Sequence, residues 1–287
     1  MKAWLDLLHK VMLHGAQRED RTGVGTKSLF GVTLKVGNYE SAFPAVTAKK
    51  LIFQQVAAEL ACFLKGHSTL SEFHREGCVI WDGNGTSEEW LKRQRWPEDL
   101  GRIYGVQWRD WRGTVIDIES ESVQRMVRVD QLKVLVEGLK ADPYSRRHLV
   151  TAWNPAELDI MCLPPCHVMF QCYVRKMGPK QFLDICVIMR SVDLFLGLPF
   201  DIASYALLQR LLAKETGLSS GELTFMMGDA HIYLNHLSQV EQVLSNGTLK
   251  PPTLKLAPEA SLFNFSSFQA ELENYQFHAV VKAPLNV

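Results

Sequence analysis

The sequence predicts an α+β fold: one large, mostly buried sheet with helices flanking it. Three observations carry that expectation. Apolar residues recur at helical spacing near the N-terminus, over 51–64 and over 203–216. Strand-like runs fall at 28–36, 148–153, 169–175 and 182–189. The two kinds of segment are mixed without the regular β-α-β alternation of a doubly wound fold. The chain has 287 residues, 47% hydrophobic and 22% charged, enough to bury a sizeable core. No linker, repeat or low-complexity stretch marks a boundary, so residues 1–287 read as a single domain.

Each element has a local reason. Trp4, Leu5, Leu7, Leu8, Val11 and Met12 form one helical stripe, and Gly15 stands where that helix can stop. Arg21-Thr-Gly-Val-Gly-Thr26 is a turn-rich loop before the strand Ser28 to Val36. The helix from Leu51 to Leu64 stops at Gly66. Residues 82–103 are polar and tryptophan-rich and read as a surface insertion. A helix is expected from Val129 to Leu139, and a strongly apolar one from Ala203 to Thr216, ending at Gly217. Short strand-like pieces and prolines fill the tail from Lys250.

Composition excludes several function classes. The 31 basic and 31 acidic residues cancel, which argues against a protein that coats nucleic acid. No apolar run approaches the roughly 18 residues that span a bilayer. The N-terminal helix carries Asp6 and does not read as a secretory signal, so a cytoplasmic setting is expected. The six cysteines form no C-x-x-C pair and have no zinc-ligand spacing, so no metal is expected.

Two stretches stand out as carriers of chemistry. In Leu163-Pro-Pro-Cys-His167, two prolines fix the direction of a cysteine at the start of an apolar strand. Cys166 is either a small buried hydrophobe or a nucleophile. His167, its neighbour in an extended segment, points to the other face and cannot be its base. A nucleophilic Cys166 needs its thiolate favoured from a distance, by arginine. Arg21, Arg146, Arg147 and Arg190 sit at turns and strand ends, with Ser191 beside the last, and that set suits a phosphate as well as plain solvation. The second stretch, Arg190-Ser-Val-Asp-Leu-Phe-Leu-Gly-Leu-Pro-Phe-Asp201, sets Asp193 and Asp201 in apolar sequence. Such carboxylates need hydrogen-bond partners or shift their pKa. Asp201 also reads as the N-cap of a helix from Ile202. Glu59, in an apolar helix, is either on a wet edge or a buried acid. Gly228-Asp-Ala-His-Ile-Tyr233 alternates, which puts Asp229, His231 and Tyr233 on one strand face.

Taken together, these segments resemble the thymidylate synthase family. The resemblance runs from the Arg21-Thr-Gly loop through Trp81-Asp82, Tyr104-Gly105, Ser145-Arg-Arg147, Ala152-Trp-Asn154 and Leu163-Pro-Pro-Cys-His167. It continues through Arg190-Ser191, the Gly-Leu-Pro-Phe turn, Ile202-Ala-Ser-Tyr205 and Gly228-Asp-Ala-His-Ile-Tyr233 to Val287. It implies a homodimer with the sheet buried in its interface, a pyrimidine deoxynucleotide substrate and methylenetetrahydrofolate as one-carbon donor. Residue by residue, it makes Cys166 the nucleophile that adds to carbon 6 of the base. Arg21, Arg190 and Ser191 would hold the 5′-phosphate, joined by Arg146 and Arg147 of the other subunit. His231 and Tyr233 would contact the sugar. Glu59, with Tyr104 and His167, would organise proton transfers. Trp81, Asp193, Gly197, Phe200 and Val287 would line the folate site.

Two departures from the family pattern bear on substrate. Thymidylate synthases have asparagine where this chain has Asp201, and usually glutamine where it has Met189. An amide pairs with uracil's carbonyl oxygen 4 and ring N–H. A carboxylate accepts instead from cytosine's amino group, as in the phage dCMP hydroxymethylases, which the Met-Arg-Ser run also resembles. Sites built on such polar pairs discriminate by roughly 10⁴. The expected activity is therefore dCMP to 5-hydroxymethyl-dCMP. The alternatives are a dCMP methyltransferase, giving 5-methyl-dCMP and dihydrofolate, and then thymidylate synthase on dUMP. A binding protein that has lost catalysis is disfavoured by the joint presence of Cys166, Arg190 and Glu59.

Overall fold

The computed structural model describes residues 1–117, 119–120 and 122–286. Helix α1 (Lys2–His14) buries Trp4, Leu8 and Val11, the stripe expected from sequence, and ends at Gly15. Trp4 also donates its indole N–H to the Leu194 carbonyl at 2.7 Å, tying the N-terminus to a loop 190 residues away. Strands β1 (Ala16–Arg18) and β2 (Thr26–Gly37) follow. Four helices come next: α2 (Phe53–Lys65), α3 (Leu70–Arg75), α4 (Asp82–Gly85) and α5 (Glu88–Leu91). Helix α6 (Tyr104–Arg109) leads into a hairpin of β3 (Trp111–Ile116) and β4 (Val123–Val129), then α7 (Gln131–Ala141). After β5 (Leu149–Thr151) come the long strands β6 (His167–Met177) and β7 (Lys180–Asp193). Helix α8 (Gly197–Thr216), β8 (Ser219–Tyr233), α9 (Leu237–Asn246) and the hairpin β9 (Thr253–Leu256) and β10 (Ala270–Glu273) complete the described chain.

The main sheet has the order β1-β2-β8-β7-β6-β5. Strands β7 and β8 run parallel, joined by the crossover helix α8, and the other neighbours are antiparallel. This is the mixed sheet with flanking helices that the sequence predicts. Helix α8 is buried nearly all round, with Leu207, Leu208, Leu211 and Leu212 at 1% exposure or less. Its buried polar residues are therefore satisfied by protein: Gln209 donates to the carbonyls of Leu183 and Glu222, and Arg210 pairs with Asn38 and Glu40. Gly217 closes it at φ 72°, a left-handed cap that residues with a side chain resist. The sheet also leaves Phe30 (85%), Tyr173 (65%) and Met226 (49%) exposed within the single chain.

Three expectations are corrected. Asp201 is not an N-cap. Helix α8 starts four residues earlier, at Gly197, because Asp193 Oδ1 accepts the N–H groups of Phe195 and Leu196 and organises the turn itself. Val129 ends a strand rather than starting a helix, and the β3–β4 hairpin had no counterpart in the sequence reading. Residues 82–103 contribute to the core as well as the surface, since Trp90, Leu100 and Ile103 are at most 1% exposed. No helix among the described residues is long and apolar enough to cross a membrane.

Gly105 shows how closely two helices approach. A Cβ placed there would lie 2.4–2.8 Å from backbone atoms of Phe63 in α2. Backbone cannot step aside as a flexible side chain can. Gly105→Ala is therefore expected to destabilise by about 3 kcal/mol, the upper end of overpacking costs. Urea unfolding reads the change, and a loss under 1 kcal/mol would mean the helices separate freely.

Candidate active site

Strand β6 begins immediately after Cys166, and β7 lies beside it. The Arg190 N–H donates to the Cys166 carbonyl at 2.9 Å, which fixes the cysteine against the neighbouring strand. The Arg190 side chain wraps round the same loop. Its Nε donates to the Pro165 carbonyl and its Nη2 to the Pro164 carbonyl, each at 2.9 Å, and Nη2 stands 3.6 Å from Cys166 Sγ. From the other side the Cys166 N–H donates to the Tyr104 hydroxyl at 2.6 Å. The two prolines supply carbonyls without competing N–H donors. Three fixed points therefore aim the thiol.

Burial pushes the Cys166 thiol above its ordinary range, and Asp201 adds to the rise. Arg190 and Tyr104 pull the other way without cancelling it. The thiol accordingly rests protonated at neutral pH, with a guanidinium in place to receive negative charge as it forms.

A second group adjoins the first. His167 Nε2 lies 2.8 Å from Asp201 Oδ1, both side chains being less than one-fifth exposed. Burial works against a charged His167, but Asp201, by charge and hydrogen bond, raises its pKa above the ordinary value. Met189 lies opposite His167 in the β6–β7 ladder and is buried. Trp81 donates its indole N–H to Glu59 Oε1 at 2.7 Å. Aromatic rings close the space: Phe63 stacks on Tyr104 at 5.0 Å, and His167 lies 5.2 Å from Tyr104 and 5.3 Å from Tyr205.

Glu59 is half-buried, with its carboxyl largely shielded from water. Burial raises its carboxyl to about 7, the Trp81 hydrogen bond opposing and the Asp201 charge adding. The sign of the stability effect follows. Below its ordinary value of 4.5 the group is protonated both folded and unfolded. Between 4.5 and about 7 the unfolded chain releases the proton first, so stability falls as pH rises. Above that window the buried carboxylate is a full cost to the folded state. Glu59→Gln is therefore expected to raise Tm more at pH 8 than at pH 5. Equal shifts at the two pH values would show that the carboxyl is not perturbed.

The remaining candidates form a third group at the ends of β7 and β8. Asp193 pairs with His231 in the ladder, and Ser191 with Asp229. His231 is buried, and its ring meets Tyr233 edge-on at 5.1 Å. Burial and the nearby Asp193 and Asp20 carboxylates push the Tyr233 phenol up to about 12, with Arg21 opposing. Arg21 itself is exposed, in a loop pinned where Asp20 accepts from Thr22 and Gly25. Gly197 and Phe200 lie in the first turn of α8, Gly197 one turn before Asp201 and Phe200 next to it. Arg146 and Arg147 are exposed at the turn before β5 and are not drawn into these groups within one chain. Val287 lies outside the described residues.

Sequence reasoning missed two neighbours. Tyr205, which stands in the Ile202-Ala-Ser-Tyr205 run without a role of its own, forms part of the ring wall around His167. Lys49 is buried, with its Nζ 4.2 Å from the Phe195 ring centre. Burial lowers it to about 8 against the pull of Asp193. Asp193, whose charge acts on Lys49, accepts the N–H groups of Phe195 and Leu196 through Oδ1, and its Oδ2 takes no protein hydrogen bond among the described residues. A flat heterocycle with N–H donors along one edge and an acidic tail fits that chemistry. Among the described residues, no group of three or more His, Cys, Asp or Glu side chains is placed to hold a metal ion.

The arrangement suits covalent addition of a thiol to an electron-poor ring, with a carboxylate–imidazole pair beside the ring and a weak acid for proton transfer. A family model described as Thymidylate synthase matches residues 2–287. The thymidylate synthase of Mesoplasma florum is similar over its whole length: 37% identical over 308 aligned residues, covering all of both chains.

Proposed function

Since the chain belongs to the thymidylate synthase family, we propose that its one-carbon transfer to carbon 5 of a pyrimidine nucleotide takes dCMP and yields 5-hydroxymethyl-dCMP. The observation that carries this reading is the Asp201 carboxylate, held by His167 through Oδ1. Its second oxygen stays available as an acceptor, which matches cytosine's amino group and opposes uracil's oxygen 4. A proton shared between the Asp201 carboxylate and the base also satisfies cytosine's ring nitrogen 3.

Residues 1–287 act in this proposal as one catalytic unit, paired with a second copy through the exposed apolar sheet face. Homodimers acting on a nucleotide and a folate are the family's mode. Arg21, Arg190 and Ser191 take the phosphate, and the exposed Arg146 and Arg147 complete it from the partner copy. His231 and Tyr233 face the sugar. Trp81, Asp193, Gly197, Phe200 and Lys49 hold methylenetetrahydrofolate, which supplies the one-carbon unit when bound. Cys166 gives up its thiol proton to solvent as Sγ bonds to carbon 6, and the electron pair moving to carbon 5 forms that carbon's bond to the one-carbon unit, from which tetrahydrofolate then leaves. Glu59, poised near neutrality, receives the carbon 5 proton through water. Water adds to the exocyclic methylene so formed, and the Cys166 thiolate leaves carbon 6 as the ring regains its double bond. Recharging of the base pocket by Asp201 beside a buried Met189 favours water as the final nucleophile on the carbon 5 methylene; hydride in its place gives 5-methyl-dCMP.

Thymidylate synthesis from dUMP is the second reading, favoured by the Mesoplasma florum relative's name. One incubation separates the three. The protein is given equal dCMP and dUMP with methylenetetrahydrofolate, and products are identified by mass. Hydroxymethyl-dCMP is expected. Methyl-dCMP would keep the base and correct the final step. Thymidylate would overturn the Asp201 argument.

A further inference from the structure

A second basic pocket lies away from the candidate active site, between the ends of α2 and α6 and the foot of the β3–β4 hairpin. Its volume is about 340 Å³, and its wall carries Lys65, Arg95, Arg102, Arg109, Arg112 and Arg128 around a single lining carboxylate, Asp110. The deeper cations have acids of their own: Lys65 pairs with Glu76, Arg95 with Asp99, Arg102 with Glu157 and Arg109 with Asp130. At the mouth the balance fails. Arg128 bonds to Asp110, Arg112 lies 3.5 Å from it, and Arg102 reaches it at 3.2 Å, so three guanidinium groups share one carboxylate.

The register sharpens the imbalance. Arg112 and Arg128 are direct partners across the antiparallel hairpin. Like charges placed opposite each other destabilise a strand pair. Asp110 offsets this only in part, being shared with Arg102 as well, and packing adds little, because both side chains are largely solvent-facing, at 45% and 70% exposure. An anion seated over them supplies the rest. Beside them Trp96 is 47% exposed, one side of its ring covered by the Arg95 guanidinium at 4.3 Å. Planar forks suit phosphate oxygens, and an open indole suits a base. The size fits one small ligand. A chain of zero net charge favours a compact anion over a nucleic-acid strand.

We propose that this pocket binds a nucleoside triphosphate, its polyphosphate on Arg112 and Arg128 and its base against Trp96. The probes are ATP, dCTP and inorganic tripolyphosphate, measured by titration calorimetry on the full chain with saturating dCMP and dUMP present to occupy the other phosphate site. ATP or dCTP is expected to bind. The double variant Arg112→Ala/Arg128→Ala should weaken binding about tenfold or more, given the usual strength of charge-assisted bonds. Arg125→Ala, on the opposite face of the same hairpin, should leave it unchanged. Trp96→Ala should weaken the nucleotides and spare tripolyphosphate. Absence of binding, binding indifferent to the double variant, equal affinity for tripolyphosphate and ATP, or preference for an oligonucleotide would each overturn the proposal.

Discussion

Asp201→Asn is expected to invert base preference, raising kcat/KM for dUMP relative to dCMP by roughly 10²–10⁴. The variant exchanges an oxygen acceptor for an amide that donates as well as accepts, so the like acceptors that oppose uracil are gone. It also removes the negative charge that holds the His167 pKa up. The imidazole then becomes neutral at a lower pH, and any His167-dependent limb of the pH–rate profile shifts to lower pH. Steady-state rates on both nucleotides across pH 5–9 read both effects. An unchanged substrate ratio would sink the base assignment even if the total rate fell.

Cys166→Ala is expected to lower turnover on the order of 10⁴-fold or more, since among the described residues no second thiol stands in the site. Nucleotide binding should survive. The Arg190 side chain is held by the carbonyls of Pro164 and Pro165, which the variant leaves in place, and loses only its contact with the sulfur. Isothermal titration with the nucleotide, beside a turnover assay, separates chemistry from binding. Activity within tenfold of the parent would rule out a covalent role for this cysteine.

Much of the architecture was legible because its causes are local. The stripe from Trp4 to Val11, the stop at Gly217 and the apolar runs of β6 and β7 are each set by residues close in sequence. The errors arose where a distant or competing contact decides. Asp201 has the residue type and position of a helix cap, but Asp193, eight residues earlier, already organises the turn. The β3–β4 hairpin escaped notice because its burial alternates only between partly and fully exposed residues, and its apolar rhythm is faint. Lys49 gave no sign of burial, since its environment is the Phe195 ring and the Asp193 carboxylate nearly 150 positions away. The candidate site residues could be proposed from motifs. That Tyr104 and Arg190 grip the Cys166 loop from two sides is a property of the assembled chain.

That grip has a consequence for how the protein acquires its chemistry. Tyr104 and Cys166 are 62 residues apart in sequence, and Arg190 arrives 24 residues after the cysteine. The strand pair that walls the far end of the site, β2 with β8, joins Thr26 to Tyr233. Loops of that length close slowly, and nothing local rewards them beforehand. Helices such as α8 can form early during refolding, while the thiol remains unaimed until the last distant pieces dock. Regain of activity therefore lags recovery of helical signal, and a collapsed intermediate with native-like secondary structure is catalytically silent.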